Sequence, residues 1–460
     1  MQKQKTIKDT IHFSGKGIHT GLLTQMTLTP AKENNGIVFV RTDKDNARVK
    51  AIVENVYSTD RSTNLKQNCV FVKTVEHILA AIVGNNIDNV DILIDNEEVP
   101  ISDGSAKEFS EKIAHVGIVE QRSYRYTYNI EKEIYYIDEE SGTEIIVLPD
   151  DEYNIDVTID YNSSTLGIQK ATLSSLKNFN IEIASSRTFC FLHELELLLE
   201  KNLIKGGDIN NAIVIVENKI DNRKLSNFAK VFKKNEIQIT KSGILNNLEL
   251  RHKNEAARHK LLDVIGDLAL IGFPLKGKVI ANKPGHTHNT NFAKKIRDLI
   301  LKDMKVTAPL VDFNEKPFYN KEQIKEILPH RAPFLFIDEI RDLGDDFIVG
   351  VKYVKEDEDY FRGHFPGAPV MPGVLQLETM AQAGGVLILN TVVDPENYLT
   401  YFMKIDNAKF KQKVLPGDTI IFKLELISPI RRGLCHMHGK GFVDGKIVVE
   451  ADLLAQIAKK

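Results

Sequence analysis

Residues 363–385 read GHFPGAPVMPGVLQLETMAQAGG. A histidine, His364, sits in a Pro/Gly-rich loop. A carboxylate, Glu378, follows fourteen residues later on a segment apolar enough to be a buried helix. Gly373 lies just before that helix, where free backbone N–H groups can hold a developing oxyanion. The surrounding stretches FIVGVKYV, YLTYFMKI, TIIFKLELI, CHMHGKGFV and KIVVEADLLAQI read as strands. One long apolar helix (374–390) among them predicts an α+β unit over residues 318–460, with an antiparallel sheet wrapped around a single helix.

That unit is only the last third of the chain. A length of 460 residues exceeds what one core supports, so two to four domains are expected. The formal net charge of -3 gives no reason to expect nucleic acid or an anionic membrane as partner. The opening MQKQKTIKDT has no apolar run, so neither a secretory signal nor an anchor is expected, and no stretch is apolar enough for a transmembrane helix. Cys69, Cys190 and Cys435 are odd in number and widely spaced, which fits a reducing cytoplasm.

Residues 6–60 alternate as short strands. TVEHILAAIV (74–83) has helical period with Thr74 as its N-cap, and VDILID is a strand. Polar VEQRSYR (119–125) predicts a first boundary, which divides the front of the chain into 1–122 and 123–302. Strands are expected again over 126–180, then a helix over FLHELELLLEKN and another over 256–271, followed by Gly272, Pro274 and the strand KGKVIAN. His77 to Ile94 and His259 to Ala281 share one pattern of histidine, apolar spacing, turn and strand. This suggests two similar α/β halves facing one site. Residues 303–317 lose periodicity and read as a linker.

On a helix, His259 and Asp263 are four apart and share a face. With His77 they make two histidines and one carboxylate, a catalytic zinc pattern with one position open. Zinc lowers the pKa of water to about 7, and a carboxylate that is not a ligand must then take the proton; Glu76 is placed for that. Taken alone, a His–Asp pair at this spacing is more often a surface or helix-stabilising pair than a ligand pair.

TVEH (74–77), SSRTF (185–189), RHKLLDVIGDL (258–268) and KPGHTHN (283–289) resemble, in order, the UDP-3-O-acyl-N-acetylglucosamine deacetylase family of lipid A synthesis. The resemblance runs over about residues 4–300 and includes TIKDTIHFSGKGIHTG. It implies one zinc ion per chain on His77, His259 and Asp263, with Glu76 as general base. It also implies His286 as a protonated second catalytic group, Asp267 hydrogen-bonded to it to keep it charged, and Thr188 as an oxyanion donor. Lys260, read as pointing away from the ligand seam, and Phe189 are implied to contact substrate. Thr188 as the cap of a following helix, Asp267 as a surface carboxylate, His288 as a loop histidine and His19 as a loop residue without chemistry stay open.

ILPHRAPFLFID (327–338), the opening stretch and IDNAKFKQKVLPGD (405–418) resemble the 3-hydroxyacyl-[acyl-carrier-protein] dehydratases of hot-dog fold. Dehydration needs a base for the C2 proton and an acid for the C3 hydroxyl, and His364 with Glu378 supply both. The resemblance implies that this pair meets across a homodimer interface, with dimers or trimers of dimers. Glu rather than Asp at 378 favours dehydration without isomerisation. A hot-dog thioesterase is the nearest rival, and the HFPG loop and its spacing to Glu378 argue against it. The His436–His438 tract lacks further ligands, Cys190 lacks a partner base, and Arg431-Arg432 reads as a solvated turn, with contact to phosphopantetheine or the acidic carrier protein as the alternative. The expected whole is an α+β chain in which two similar α/β sandwich domains of a deacetylase precede a single-helix hot-dog dehydratase. Its partners would be a UDP-sugar acyl substrate and acyl carrier protein. In the competing reading one half is inactive, a scaffold or carrier-protein docking module.

Overall fold

The structure, a computed structural model, describes residues 2–195, 211–217, 220–221, 225–226, 229–230, 237–240, 243–245, 249–304 and 306–460. The chain divides into two compact units, Met1–Ile300 and Leu301–Lys460. No helix among the described residues is long and apolar enough to cross a membrane.

The first unit begins with strands β1 (Lys3–Ile7), β2 (Ile11–Lys16), β3 (Leu23–Pro30), β4 (Ile37–Arg41) and β5 (Ala47–Lys50). A small sheet of β6 (Val56–Ser58), β7 (Asn64–Gln67) and β8 (Val70–Val72) leads to helix α1 (Glu76–Gly84). Then come β9 (Val90–Ile94), helix α2 (Lys107–Val116) and β10 (Ile118–Tyr124), which returns to pair antiparallel with β1. The polar stretch expected as a boundary is therefore a strand. Its largely exposed residues suit a ribbon with a single neighbour, where alternation is not imposed by a core. Thr74 does not cap α1. Its φ is +58°, the N-cap is Val75, and the Thr74 hydroxyl instead donates to buried Glu98 at 3.0 Å.

The second half of this unit runs β11 (Tyr128–Asn129), β12 (Ile134–Asp138), β13 (Thr143–Leu148), β14 (Tyr153–Ile159), β15 (Gln169–Leu173) and a short helix α3 (Phe179–Glu182). Parallel strands β16 (Phe189–Phe191) and β17 (Ile213–Ile215) follow. The helix expected over FLHELELLLEKN lies, from residue 196 onward, outside the described residues. Helix α4 (Glu255–Leu268) runs into a 3-10 turn (Ala269–Ile271) that Gly272 closes in the left-handed region, φ +74°, and β18 (Leu275–Asn282) and helix α5 (His286–Met304) follow.

The suspected internal repeat is a repeat of topology. The first sheet is ordered β2-β3-β9-β4-β5, with β9 antiparallel to β3 and parallel to β4. The second is ordered β12-β13-β18-β14-β15, with β18 antiparallel to β13 and parallel to β14. In each half a helix carrying a buried histidine precedes the central strand, and these helices, α1 and α4, pack on each other.

The second unit starts with helix α6 (Lys321–Ile327), capped by a reciprocal Asn320–Gln323 pair. Strands β19 (Glu339–Leu343) and β20 (Phe347–Tyr353), helix α7 (Gly373–Leu389), then β21 (Tyr398–Phe410), β22 (Thr419–Leu426), β23 (Leu434–Val443) and β24 (Lys446–Lys459) complete it. The six strands form one antiparallel sheet, β19-β20-β22-β23-β24-β21. Ile420, Phe422 and Leu424 alternate inward from β22 onto α7, the expected single-helix arrangement. α7 is buried along nearly its whole length, and Gly439 on β23 lets it approach, because a Cβ there would lie 2.3 Å from Met380 Sδ. Gly373 is the first residue of α7 rather than the residue before it. Helices α2, α5 and α6 and strand β19 were not among the expected elements.

Candidate functional sites

The first site lies where α1 crosses α4. Gly266 makes the crossing close: a Cβ on it would stand 2.1 Å from the carbonyl oxygen of Glu76. The first turn of α1 carries Glu76 and His77, and successive turns of α4 carry His259, Asp263 and Asp267, all buried. The ligand atoms of His77, His259 and Asp263 lie within 4.8 Å of one another. Asp263 Oδ1 faces both imidazoles, 3.8 Å from His77 Nε2 and 3.4 Å from His259 Nε2, yet it is buried without a hydrogen-bond partner among the described residues. A buried carboxylate oxygen left unpaired is costly, and a cation shared with two imidazoles removes that cost.

The electrostatics agree with that donor set. Burial, aided by His259, pushes His77 down to about 3, and burial likewise lowers His259, so both stay neutral as ligands must. His259 Nδ1 donates to the Ser186 carbonyl at 3.0 Å, which leaves the Nε2 lone pair aimed at the site. Burial alone would raise Asp263, but His259, Lys260 and His286 outweigh it and hold the carboxyl well below its usual range. The residues present therefore fit a divalent metal.

Next to these three residues stand a carboxyl, Glu76, and an imidazole, His286, whose proton affinities are both raised. Burial pushes Glu76 up to about 7, against the pull of His286. Glu76 Oε2 accepts the backbone N–H of Thr63 at 3.0 Å. Burial would lower His286, but the Asp267 carboxylate, 2.9 Å from its Nδ1, prevails and holds it at about 9. Asp267 is fully buried and also accepts from Asn289 Nδ2 at 2.9 Å and from the Thr63 hydroxyl, so the surface reading of this carboxylate is excluded. Thr63 and Asn289 were missed in the sequence. Asn289 lies one turn after His286 on α5, a helix whose polar start HTHNTN hides its period. His288 is accordingly a helical residue, its Nδ1 3.2 Å from the Tyr136 hydroxyl.

Phe189 stands edge-on to His259 with ring centroids 6.4 Å apart, and it packs on Tyr161 at 5.6 Å. Thr188 precedes a strand, not a helix, so it caps nothing. Its N–H donates to Gly104 O and its carbonyl accepts from Ile213 N, both at 2.8 Å. Lys260 does not point away from the ligand seam: its ammonium lies 3.0 Å from Asp263 Oδ2, drawn there by a buried carboxylate that needs a cation. The His19 loop is wrapped on fully buried Glu98, which accepts the backbone N–H groups of His19 and Thr20 at 2.9 and 2.7 Å. Burial raises the Cys190 thiol to about 12, which removes it as a nucleophile.

In the second unit His364 lies between a 3-10 turn (Asp359–Arg362) and α7. Its N–H donates to Tyr360 O at 3.0 Å and its Nδ1 to Val370 O at 2.7 Å, which leaves Nε2 as the ring nitrogen turned to other partners. Glu378, in the second turn of α7, accepts from Gln382 Nε2 at 2.9 Å; Gln382 Oε1 in turn accepts from Phe336 N at 2.8 Å. The histidine the chain itself brings to Glu378 is His330, whose Nε2 is 3.6 Å from Glu378 Oε1. Pro372 before α7 gives no side-chain cap, and a Cβ on Gly373 would lie 2.7 Å from the Phe410 ring. β21 is an edge strand and exposes Tyr401, Met403 and Phe410, each by more than half. His438 is taken up by Asp452, with Nδ1 to Oδ1 at 2.6 Å.

A family model described as UDP-3-O-acyl N-acetylglycosamine deacetylase matches residues 4–232 and 225–298, and a FabA-like domain model matches residues 328–452. The bifunctional enzyme LpxC/FabZ of Bacteroides thetaiotaomicron is 47% identical over 460 residues, covering 100% of both chains. That of Porphyromonas gingivalis is 47% identical over 458 residues, 99% of each chain. The UDP-3-O-acyl-N-acetylglucosamine deacetylase of Chlamydia pneumoniae is 37% identical over 65% of this chain and 98% of its own.

Proposed function

The chain belongs to the UDP-3-O-acyl N-acetylglycosamine deacetylase family, joined as in the bifunctional LpxC/FabZ enzymes to a FabA-like domain, and on that premise we propose two reactions for one polypeptide. The first is hydrolysis of the N-acetyl group of UDP-3-O-(3-hydroxyacyl)-N-acetylglucosamine. The second is dehydration of 3-hydroxyacyl-[acyl-carrier-protein] to the trans-2-enoyl thioester.

The deacetylase comprises subdomains of about 1–122 and 123–302, in which His77, His259 and Asp263 would hold one zinc ion. Zinc bound there would supply a Lewis acid that acidifies water and polarises the acetamide carbonyl at neutral pH. Glu76 accepts the proton of the attacking water. The C–N bond then breaks as His286, kept charged by Asp267, or the newly protonated Glu76 protonates the amine. Acetate and a free glucosamine nitrogen result. Thr188 donates to the oxyanion, and Lys260 and Phe189 contact the substrate. The unpartnered Asp263 Oδ1 between two neutral imidazoles is the observation that carries this reading.

Residues 303–317 lead to the dehydratase, 318–460. His364 Nε2 takes the C2 proton, Glu378 protonates the C3 hydroxyl so that it leaves as water, and the uncapped N–H at Gly373 polarises the thioester carbonyl. Each tunnel uses His364 of one subunit and Glu378 of the other, in a homodimer joined along the apolar edge strand β21. Three free cysteines suit a cytoplasmic setting. The test is metal content and both activities on the purified intact chain. His259→Ala is expected to abolish acetate release and leave dehydration intact, and His364→Ala to do the reverse. If either substitution left its assigned activity unchanged, that assignment would be wrong.

A further inference from the structure

We propose that the buried Arg187–Glu255 ion pair is a positioning device for the metal centre, acting through the Ser186 carbonyl on His259. This rests on the reading of His259 as a metal ligand.

The segment from Ser185 to Thr188 is anchored at successive peptide groups. Ser185 O accepts from Arg251 Nη1 at 2.7 Å, and Ser186 O from His259 Nδ1 at 3.0 Å. The Arg187 N–H donates to Glu255 Oε1 at 3.1 Å, and the Thr188 N–H to Gly104 O at 2.8 Å. The Arg187 guanidinium grips the same carboxylate in a bidentate way, Nε to Oε1 at 2.8 Å and Nη2 to Oε2 at 3.1 Å. Glu255 is fully buried and Arg187 nearly so. The Arg251 N–H also donates to Glu255 Oε2, at 2.7 Å.

Glu255 opens α4, one turn before His259. A closed ring results: from Glu255 along the helix to His259, across to Ser186, on to Arg187 and back to Glu255. Such a ring fixes both the tautomer of His259 and the rotation of its ring, so the Nε2 lone pair stays 3.4 Å from Asp263 Oδ1. A bidentate, buried Arg–carboxylate pair has the rigidity this needs, and a lysine cannot reproduce its geometry.

The test measures the metal itself. The zinc affinity of the intact chain is read by competition with a chromophoric chelator, and the visible absorption of the cobalt-substituted protein reports ligand geometry. Glu255→Gln is expected to weaken zinc by about 10–100-fold and to alter the cobalt spectrum, as loss of an outer-shell partner does. Unchanged far-UV circular dichroism and an unchanged thermal unfolding transition of the metal-free chain show that the variant is folded, and unchanged dehydration shows that the effect is confined to the first unit. Arg187→Lys keeps the charge pair and is the second variant should Glu255→Gln fail to fold; a weakening of roughly 3–10-fold is expected from it. A folded variant with zinc affinity within about twofold of the parent and an unaltered cobalt spectrum overturns the proposal. If the unaltered chain takes up no zinc, or if His259→Ala retains full affinity, the metal-site reading fails and the positioning role falls with it.

Discussion

Asp267→Asn separates the charge of the acid from its geometry. Asparagine keeps the shape of the side chain and an oxygen that can accept from His286 Nδ1, now 2.9 Å from Asp267 Oδ2, but it removes a full negative charge from a fully buried position. Two unit charges about 4 Å apart at an effective dielectric of about 20 interact by about 4 kcal/mol, equivalent to about three pH units. His286, held at about 9, should then titrate at about 6. Activity that needs the imidazolium is present below the pKa of His286 and lost as pH rises through it, so lowering that pKa moves the alkaline limb down. At pH 8 the protonated fraction falls by about 100-fold, and at pH 6 by only about twofold. The assay is kcat/KM for acetate release from pH 5.5 to 9.5, with dehydration by the same chain as the control. A deficit of constant size across this range would falsify the claim that Asp267 acts by holding the proton on His286.

Gly266→Ala sets a gain of about 1 kcal/mol in helix propensity against a backbone clash of about 1–3 kcal/mol. Because the obstructing atom is the Glu76 carbonyl oxygen, the clash should prevail: acetate release falls while dehydration is retained, and a higher melting temperature for the variant would contradict this. His364→Ala and Glu378→Gln chains, each inactive in dehydration, should regain activity when co-expressed. One intact tunnel forms in each mixed dimer, so random pairing restores about a quarter of the parental rate. Absence of any rescue in a co-purified mixed dimer would mean that the pair does not cross subunits.

What could be read from the sequence was what local period encodes. The i, i+4 spacing of His259 and Asp263 places both on one helix face, and one more turn reaches Asp267; all three are buried together on α4. The apolar run of α7 likewise announced a helix covered on all sides. Contacts between distant residues left no such trace. Thr63, whose N–H donates to Glu76, reaches Asp267 across 204 residues, and Arg187 meets Glu255 across 68, with no period linking them. His330 reaches Glu378 from an irregular loop whose sequence pattern concerns its own turn. Lys260 was misread for a related reason. Helical spacing gives the direction in which a side chain leaves the helix, but a long flexible stem can turn back to a buried carboxylate three residues on.

The repeat of topology explains why the first site lies where it does. If each half were self-sufficient, each would carry its own ligands; instead α1 brings Glu76 and His77, and α4 brings His259, Asp263 and Asp267. One histidine from α1 is no site, and His259 and Asp263 of α4 alone leave the Asp263 oxygen unpaired in a buried seam. On the proposed ligand set, metal binding would report the docking of the two halves on each other, and a metal that binds only the docked form would stabilise it by mass action. Gly266 is the point at which docking and coordination become the same requirement, because the close approach of α4 to the Glu76 carbonyl is what brings His77 to Asp263. A substitution there must weaken the metal and the fold together, whereas His77→Ala should weaken the metal far more than it weakens the metal-free fold.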